Sequence, residues 1–366
     1  MPHAPSEQLR RLAALVRAPL LGESVPEDHV DPKLVNFAIR RHRVGPLLHI
    51  ALQSGRPAAN DDDLAQLAQH YRANAIQVAA TELLLRNVAS LYSAAGIPWL
   101  AFKGLALARQ LYPKPAWRHS NDVDILVPPD CFAGAMRALK GDGFVIVNTT
   151  LHPEHIVERL VGSLAKDIML RQAKSGISVE LHRRLFFART EEARFAPLAD
   201  AFKPRLSLAA LDVPIPPAGA GQSLYLLIHG ASSRWFRLKW LTDLLPLMRG
   251  MDAAQMSLVA DTAERMKAAV TVKATFKLLR CVFGEISFDP MQAWLDEPAG
   301  RRLVDARLAA YLEALDDPEA MTATRPGDQF DSLNLYYAMM DNAGYRAAVL
   351  TRGAAWTALK TLRRLL

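Results

Sequence analysis

Residues 101–127 read AFKGLALARQLYPKPAWRHSNDVDILV, and the reading of this stretch decides that of the whole chain. Its last segment sets two aspartates, Asp122 and Asp124, inside an apolar run. Alternate side chains of a strand share a face, so both carboxylates project from one side while Val123, Ile125 and Val127 supply the other. Two anions held this close repel each other unless a cation lies between them. A divalent metal resolves the conflict, most naturally Mg²⁺ with its preference for carboxylate and phosphate oxygens, with Mn²⁺ as the alternative. The plainer reading is a solvated edge strand with two outward aspartates, and a short pattern alone does not separate the two.

A second segment, ISVELHRRL, repeats the arrangement, with Glu180 and His182 on one face and Val179 and Leu181 on the other. If this strand lies beside DVDILV, Glu180 becomes a third carboxylate at the same place. An Asp-x-Asp…Glu set is what phosphoryl and nucleotidyl transfer needs, because metal ions can then clamp the attacking and leaving oxygens. The third carboxylate also stands where a general base would take the acceptor's proton. Upstream, WLAFKGLALARQLY reads as strand, turn and short helix. Gly104 lets phosphate approach the backbone and Lys103 adds a charge, which joins a triphosphate cradle to the metal strand. Arg118 is a candidate bidentate phosphate ligand, and a partner for a surface acid with equal weight.

Working outward, residues 1–96 read as helical. Ser6 caps SEQLRRLAALVRA, DPKLVNFAIRRHRVGPLLHIALQ splits near Gly45-Pro46, and a long helix opens on three aspartates and stops near Gly96. Residues 97–187 alternate short strands and helices, and Lys174-Ser175-Gly176 is a hairpin turn between two strands. From about 188 to 366 only helices are expected. The expected fold is α+β, with one small mixed sheet embedded in helical regions on both sides. Within the last region, RWFRLKWLTD carries Arg234, Arg237, Lys239 and Trp240. Such groups more often snorkel around a core tryptophan than hold a base or an acceptor. His229 and Asp243 are a candidate structural pair. The HPEH at 152–155 has no standard metal spacing and reads as a helix start.

Bulk properties narrow the class. The net charge of +7 suits an anionic partner, but the excess is spread along the chain and no nucleic-acid motif accompanies it, so nucleic acid ranks low. No apolar run is long enough to span a bilayer, and the first residues lack a signal-peptide plan. Cys131 and Cys281 are far apart and have no metal spacing, which fits a reducing cytoplasm and buried small hydrophobes.

The set Lys103-Gly104, Tyr112-Pro113, Arg118 and Asp122-Val-Asp124, with Glu180 and His182 downstream, resembles the signature of an uncharacterised nucleotidyltransferase family of the DNA polymerase β-like superfamily. The resemblance covers roughly residues 95–250, since LLIHGASSRWFRLKWLTDLLPL also resembles the family's helical segment. It implies a mixed-sheet nucleotidyltransferase core, metal at Asp122 and Asp124 with Glu180 as further ligand or base, and nucleotide phosphates near Gly104. Lys103, Arg118 and His182 are then nucleotide-side residues. Two departures stand out: Lys-Gly replaces the superfamily's usual Gly-Ser in the phosphate turn, and the third acid is Glu180 rather than the commoner aspartate.

The expected activity is therefore Mg²⁺-dependent transfer of an NMP, with ATP as the expected donor, to a hydroxyl or phosphate of an unidentified small-molecule, peptide or protein acceptor, releasing pyrophosphate. Two other readings stand beside it. One is a nucleotide-binding or partner-binding scaffold with a decayed phosphate turn. The other, a metal-dependent glycosyltransferase, needs a larger sheet upstream than the helical residues before Ile97 allow.

Overall fold

A computed structural model of the protein describes residues 4–147, 166–186, 206–208, 213–286 and 291–317, with isolated positions at 194, 195, 198, 347, 350 and 351. Two residues each from β1 (His29–Val30) and β2 (Ala58–Ala59) form a minor parallel pair. Five short strands form the central mixed sheet: β3 (Leu100–Ala101), β4 (Asp122–Leu126), β5 (Phe144–Ile146), β6 (Asp167–Gln172) and β7 (Ser178–His182). Their spatial order is β3-β4-β7-β6-β5, with β4 and β7 parallel and every other neighbouring pair antiparallel. The hairpin expected at Lys174-Ser175-Gly176 joins β6 to β7, with Gly176 at φ +70°. The architecture is the expected α+β one.

The period of two decides which way this sheet faces. Val123, Ile125, Val127, Val179 and Leu181 are each at most 2 % exposed, packed with α6 (Phe132–Gly141) and the later part of α4 (Asp61–Ala94). Each such aliphatic side chain contributes about 1.5–3 kcal/mol over leaving it in water. A slip by one residue would turn this face to the carboxylate side, so the register is strongly fixed. Asp122, Asp124, Glu180 and His182 are thereby forced onto the opposite face.

Helices cover that opposite face. The helix α7 (Ala220–Ser232) and the helix α8 (Leu238–Arg249) belong to a larger apolar core. It also takes in α1 (Glu7–Leu21), α2 (Pro32–Asn36), α3 (Gly45–Leu52), α9 (Ala253–Met266), α10 (Ala269–Phe283), α11 (Gln292–Asp296) and α12 (Arg301–Asp316). The caps follow the sequence: Ser6 Oγ accepts from Leu9 N–H at 3.2 Å and Asn60 caps α4 ahead of its three aspartates. Helix α4 ends at Ala94, and Gly96 follows at φ +62°. Because α4 is 34 residues long, it reaches both cores, with Leu67 in the larger and Val78 to Tyr92 in the sheet core. Among the described residues, no helix is long and apolar enough to cross a membrane.

The sequence expectation of helices alone beyond residue 188 is corrected. A two-stranded hairpin, β8 (Leu206–Leu208) with β9 (Val213–Ile215), interrupts the region, and Val213 and Ile215 are buried in the sheet core. Three-residue strands, one with a central Pro214, are too short to show a period, which is why the pattern is silent. Both cysteines are free; Cys131 is half-buried and Cys281 is exposed, so the buried-hydrophobe expectation fails for Cys281. The HPEH segment at 152–155 lies outside the described residues.

Candidate active site

Strand pairing brings the predicted acids together. In the β4–β7 register Asp124 stands directly opposite Glu180, and Asp122 opposite Ser178. Asp124 is 2 % exposed and His182 is fully buried, both beneath the helices that roof the sheet. His182 Nε2 lies 3.3 Å from Asp124 Oδ1 and 3.4 Å from Glu180 Oε2. Its Nδ1 lies 3.5 Å from Asp167 Oδ2 without a formed hydrogen bond. Asp167, which also pairs with Lys166, is an acid that the sequence reading did not single out. Its only signal was its place at the start of the strand antiparallel to ISVELH.

The cation that the paired aspartates require is supplied first by the chain itself. Lys103 Nζ lies 2.6 Å from Asp124 Oδ1. Burial disfavours the Lys103 ammonium, but Asp124, Tyr225 and Glu180 outweigh it and hold its pKa well above the ordinary value. Burial likewise opposes ionisation of Asp124, and Lys103 and His182 reverse this, keeping its carboxyl far below the usual carboxylate range. Lys103 was expected to reach toward phosphate; here it neutralises the metal-strand carboxylate.

Gly104 has a structural task beside the expected one. It stands at φ +55° and ψ −121° at the start of α5 (Leu105–Leu111), and a Cβ there would sit 2.6 Å from the carbonyl oxygen of Asp122. The turn therefore has to be glycine for the backbone of β4 to approach, whatever else approaches it.

Arg118 is also committed. Its Nε and Nη2 donate to the two oxygens of Asp243 at 2.7 and 2.8 Å, and its Nη1 to the carbonyl of Gly104 at 3.2 Å. Tyr112 Oη donates to the same Asp243 at 2.7 Å. The loop carrying Arg118 is pinned by α4, where Asn74 Nδ2 donates to the carbonyls of Ala116 and Arg118. The suggested His229–Asp243 pair is thus corrected: Asp243 holds Arg118 and Tyr112, while His229 stacks on Tyr225. Burial, then Lys103 and Lys166, push the His229 pKa well below its ordinary value.

Lys103, Gly104, Arg118, His229 and Asp243 line one cleft of about 230 Å³. Its lining includes the acids Asp122, Asp124 and Glu180 together with Arg43, Arg237, Lys239 and Trp240, and the charge of Asp122 acts on Arg43, Arg237 and Lys239 alike. The snorkelling expectation for RWFRLKW is corrected in part. Trp235 is the core tryptophan, with its indole N–H donating to Thr275 at 3.0 Å, and together with Arg237, Lys239 and Trp240 it borders the cleft. Arg43 was missed, since nothing local distinguishes it from the other arginines of IRRHR.

A divalent cation fits among the acids. One donor atom from each of Asp124, Glu180 and His182 lies within 4.8 Å of the others, a mixed carboxylate and imidazole set. Asp122 lines the cleft but contributes no atom to that close group.

A small mixed sheet with Asp-x-Asp on one strand, an acid opposite it on the parallel neighbour and a helical roof defines a nucleotidyltransferase core. The chain belongs to the family described as uncharacterised nucleotidyltransferase, whose model matches residues 28–284, more than half of its 366 residues. The match takes in both the cleft's acidic strands and its basic helix. No protein of curated function matches the chain. General nucleotidyl transfer, an enzymatic activity, follows from the family.

Proposed function

We propose that the protein transfers an NMP from a nucleoside triphosphate, ATP as the expected donor, to a hydroxyl or phosphate acceptor with release of pyrophosphate. The observation that carries this reading is the register placing Asp124 opposite Glu180, with His182 against both. Asp124, Glu180 and His182 would hold a divalent cation, with Asp122 beside them at the cleft. The cation would lower the charge on the phosphates and orient them for displacement. Glu180, the most exposed of the three, is the residue placed to take the acceptor's proton. Lys103 balances Asp124, and were a cation to neutralise that carboxylate, the Lys103 ammonium would be left to interact with the phosphates. The Gly104 turn and the Arg118–Asp243 pair hold strand, loop and helix in one geometry.

Calorimetric titration with ATP, GTP, CTP and UTP, in Mg²⁺, in Mn²⁺ and in EDTA, tests this without knowledge of the acceptor. Metal-dependent binding of a nucleotide, lost in the Asp122→Ala/Asp124→Ala variant, is expected. Binding that is equal in EDTA and in that variant would overturn it. One observation favours a second reading, a nucleotide-binding scaffold: Lys103 closes the metal position with a short ion pair. Metal-independent binding without pyrophosphate release would mark that state.

A further inference from the structure

The two cations that the sequence aims at phosphate are both held by carboxylates: Lys103 by Asp124 and Arg118 by Asp243. Three others face the same cleft without one. Arg43, Arg237 and Lys239 have no carboxylate within ion-pair distance among the described residues, although Arg237 is only 8 % exposed and Lys239 only 7 %. Arg237 Nε is buried with no hydrogen-bond partner, and Lys239 Nζ reaches one neutral acceptor, the His119 carbonyl, at 3.3 Å. Buried charges are normally paired, because desolvation without compensation is costly.

The fold holds this unfavourable cluster together. His42 docks the Arg43 loop on the start of α8: its Nδ1 accepts from Leu238 N–H at 3.1 Å and its carbonyl from Lys239 N–H at 3.3 Å. Arg43 itself sits at φ +56°, and the turn leading into α8 places Arg234 and Trp235 at φ +52° and +55°. Non-glycine residues in the left-handed region persist where packing over-determines them, and they gather at ligand sites. Here the packing is visible, since the Trp235 ring fills the space where a Cβ on Gly230 would stand, 2.2 Å away.

We propose that Arg43, Arg237 and Lys239 form a phosphate-binding wall in the cleft that Asp122, Asp124 and Glu180 also line. The proposal rests on the nucleotidyl-transfer reading for the source of the anion and not for the wall itself. Two planar guanidinium forks and an ammonium match the oxygens of a multiply charged phosphate chain. A single carboxylate would leave most of the positive charge unbalanced. The cations also weaken each other: burial, then Arg43 and Arg41, lower the Arg237 pKa to about 10, and burial, then Arg118, lower that of Lys239 to about 7. The donor's triphosphate and a phosphate on the acceptor are the two sources that fit.

The test is calorimetry on the full chain, with inorganic tripolyphosphate in EDTA and with ATP in Mg²⁺. Arg43→Gln, Arg237→Gln and Lys239→Met are compared, with circular dichroism to verify folding; Arg43 is half-buried, so its variant is the safest for the fold. Tripolyphosphate should bind the unaltered protein, and each substitution should weaken it about 10–100-fold, the loss of one charged hydrogen-bonding group. Lys239→Met should also melt at higher temperature without the anion, whereas loss of a purely structural lysine would lower it. Parallel loss of ATP binding assigns the wall to the donor; unchanged ATP binding with weaker tripolyphosphate binding assigns it to a phosphorylated acceptor. Tripolyphosphate that fails to bind, or that binds all variants equally, overturns the wall. If Asp122→Ala/Asp124→Ala leaves nucleotide binding unchanged while tripolyphosphate still depends on Lys239, the nucleotidyl-transfer reading fails and the wall stands.

Discussion

Arg118 and Asp243 meet through two parallel hydrogen bonds, at 2.7 and 2.8 Å, in a setting where the side chains are 6 % and 2 % exposed. The pair joins the loop before β4 to the roofing helix α8, and with its third donor Arg118 also holds the Gly104 turn. Site and roof are therefore one mechanical unit. Removing one member leaves the other charge buried and uncompensated, which costs about 3–5 kcal/mol. Arg118→Met and Asp243→Leu should each lose that much in urea unfolding, and the double variant should lose clearly less than the sum. Additive losses would show that the two residues act independently.

Asp124→Asn is expected to abolish transfer. From the sequence alone, where repulsion between the two carboxylates dominates, such a change leaves the fold intact. The structure reverses that expectation, because Lys103 would remain as a buried ammonium facing a neutral amide. Stability should fall by a few kcal/mol, on the order of the cost of breaking a buried pair. Lys103→Met combined with Asp124→Asn should recover most of the loss while remaining inactive. Unfolding midpoints and pyrophosphate release measure the two effects separately.

Gly104→Ala should destabilise the protein by about 1–3 kcal/mol, through backbone strain at a positive φ and a Cβ pressed against the Asp122 carbonyl. Because the displaced atom belongs to the metal strand, nucleotide affinity should fall with it. A variant that melts like the unaltered protein and binds nucleotide equally would remove Gly104 from both roles.

The Lys239 ammonium gives a pH signature. Burial, then Arg118, lower its folded pKa to about 7, well under the unfolded value of about 10.4. The folded state carries the full cost of the charge below about pH 7, and between there and about 10.4 the unfolded chain binds more protons. Stability from this group therefore rises with pH across that window. Relative to the unaltered protein, Lys239→Met should be more stable near pH 6, and most of that gap should close by about pH 9.5. A stability difference constant across that range would show that Lys239 is solvated or paired.

An imidazole in the donor set favours metals softer than Mg²⁺. His182→Gln should therefore weaken Mn²⁺ binding more than Mg²⁺ binding in paired titrations. Equal losses would place His182 behind the site, orienting Asp124.

Much of the fold was legible because strands and helices bury what their periods dictate. The alternation in DVDIL and SVELH sent valines and leucines to one core and the acids to one face, and the caps at Ser6 and Asn60 are local chemistry. That these two strands lie side by side was expected as a condition, and the register met it at Asp124 and Glu180. What the sequence determined by itself was thus the family, the sheet's polar face and the acids on it.

Only the tertiary structure decided which cation meets which anion. Lys103 takes Asp124, Arg118 takes Asp243, and Arg43 joins Arg237 and Lys239 although almost two hundred positions separate them in the chain. No sequence period records such pairings. They follow from how helices roof a sheet, and in that buried space the strength of a charge interaction is set by distance and desolvation, neither of which is written in the order of residues.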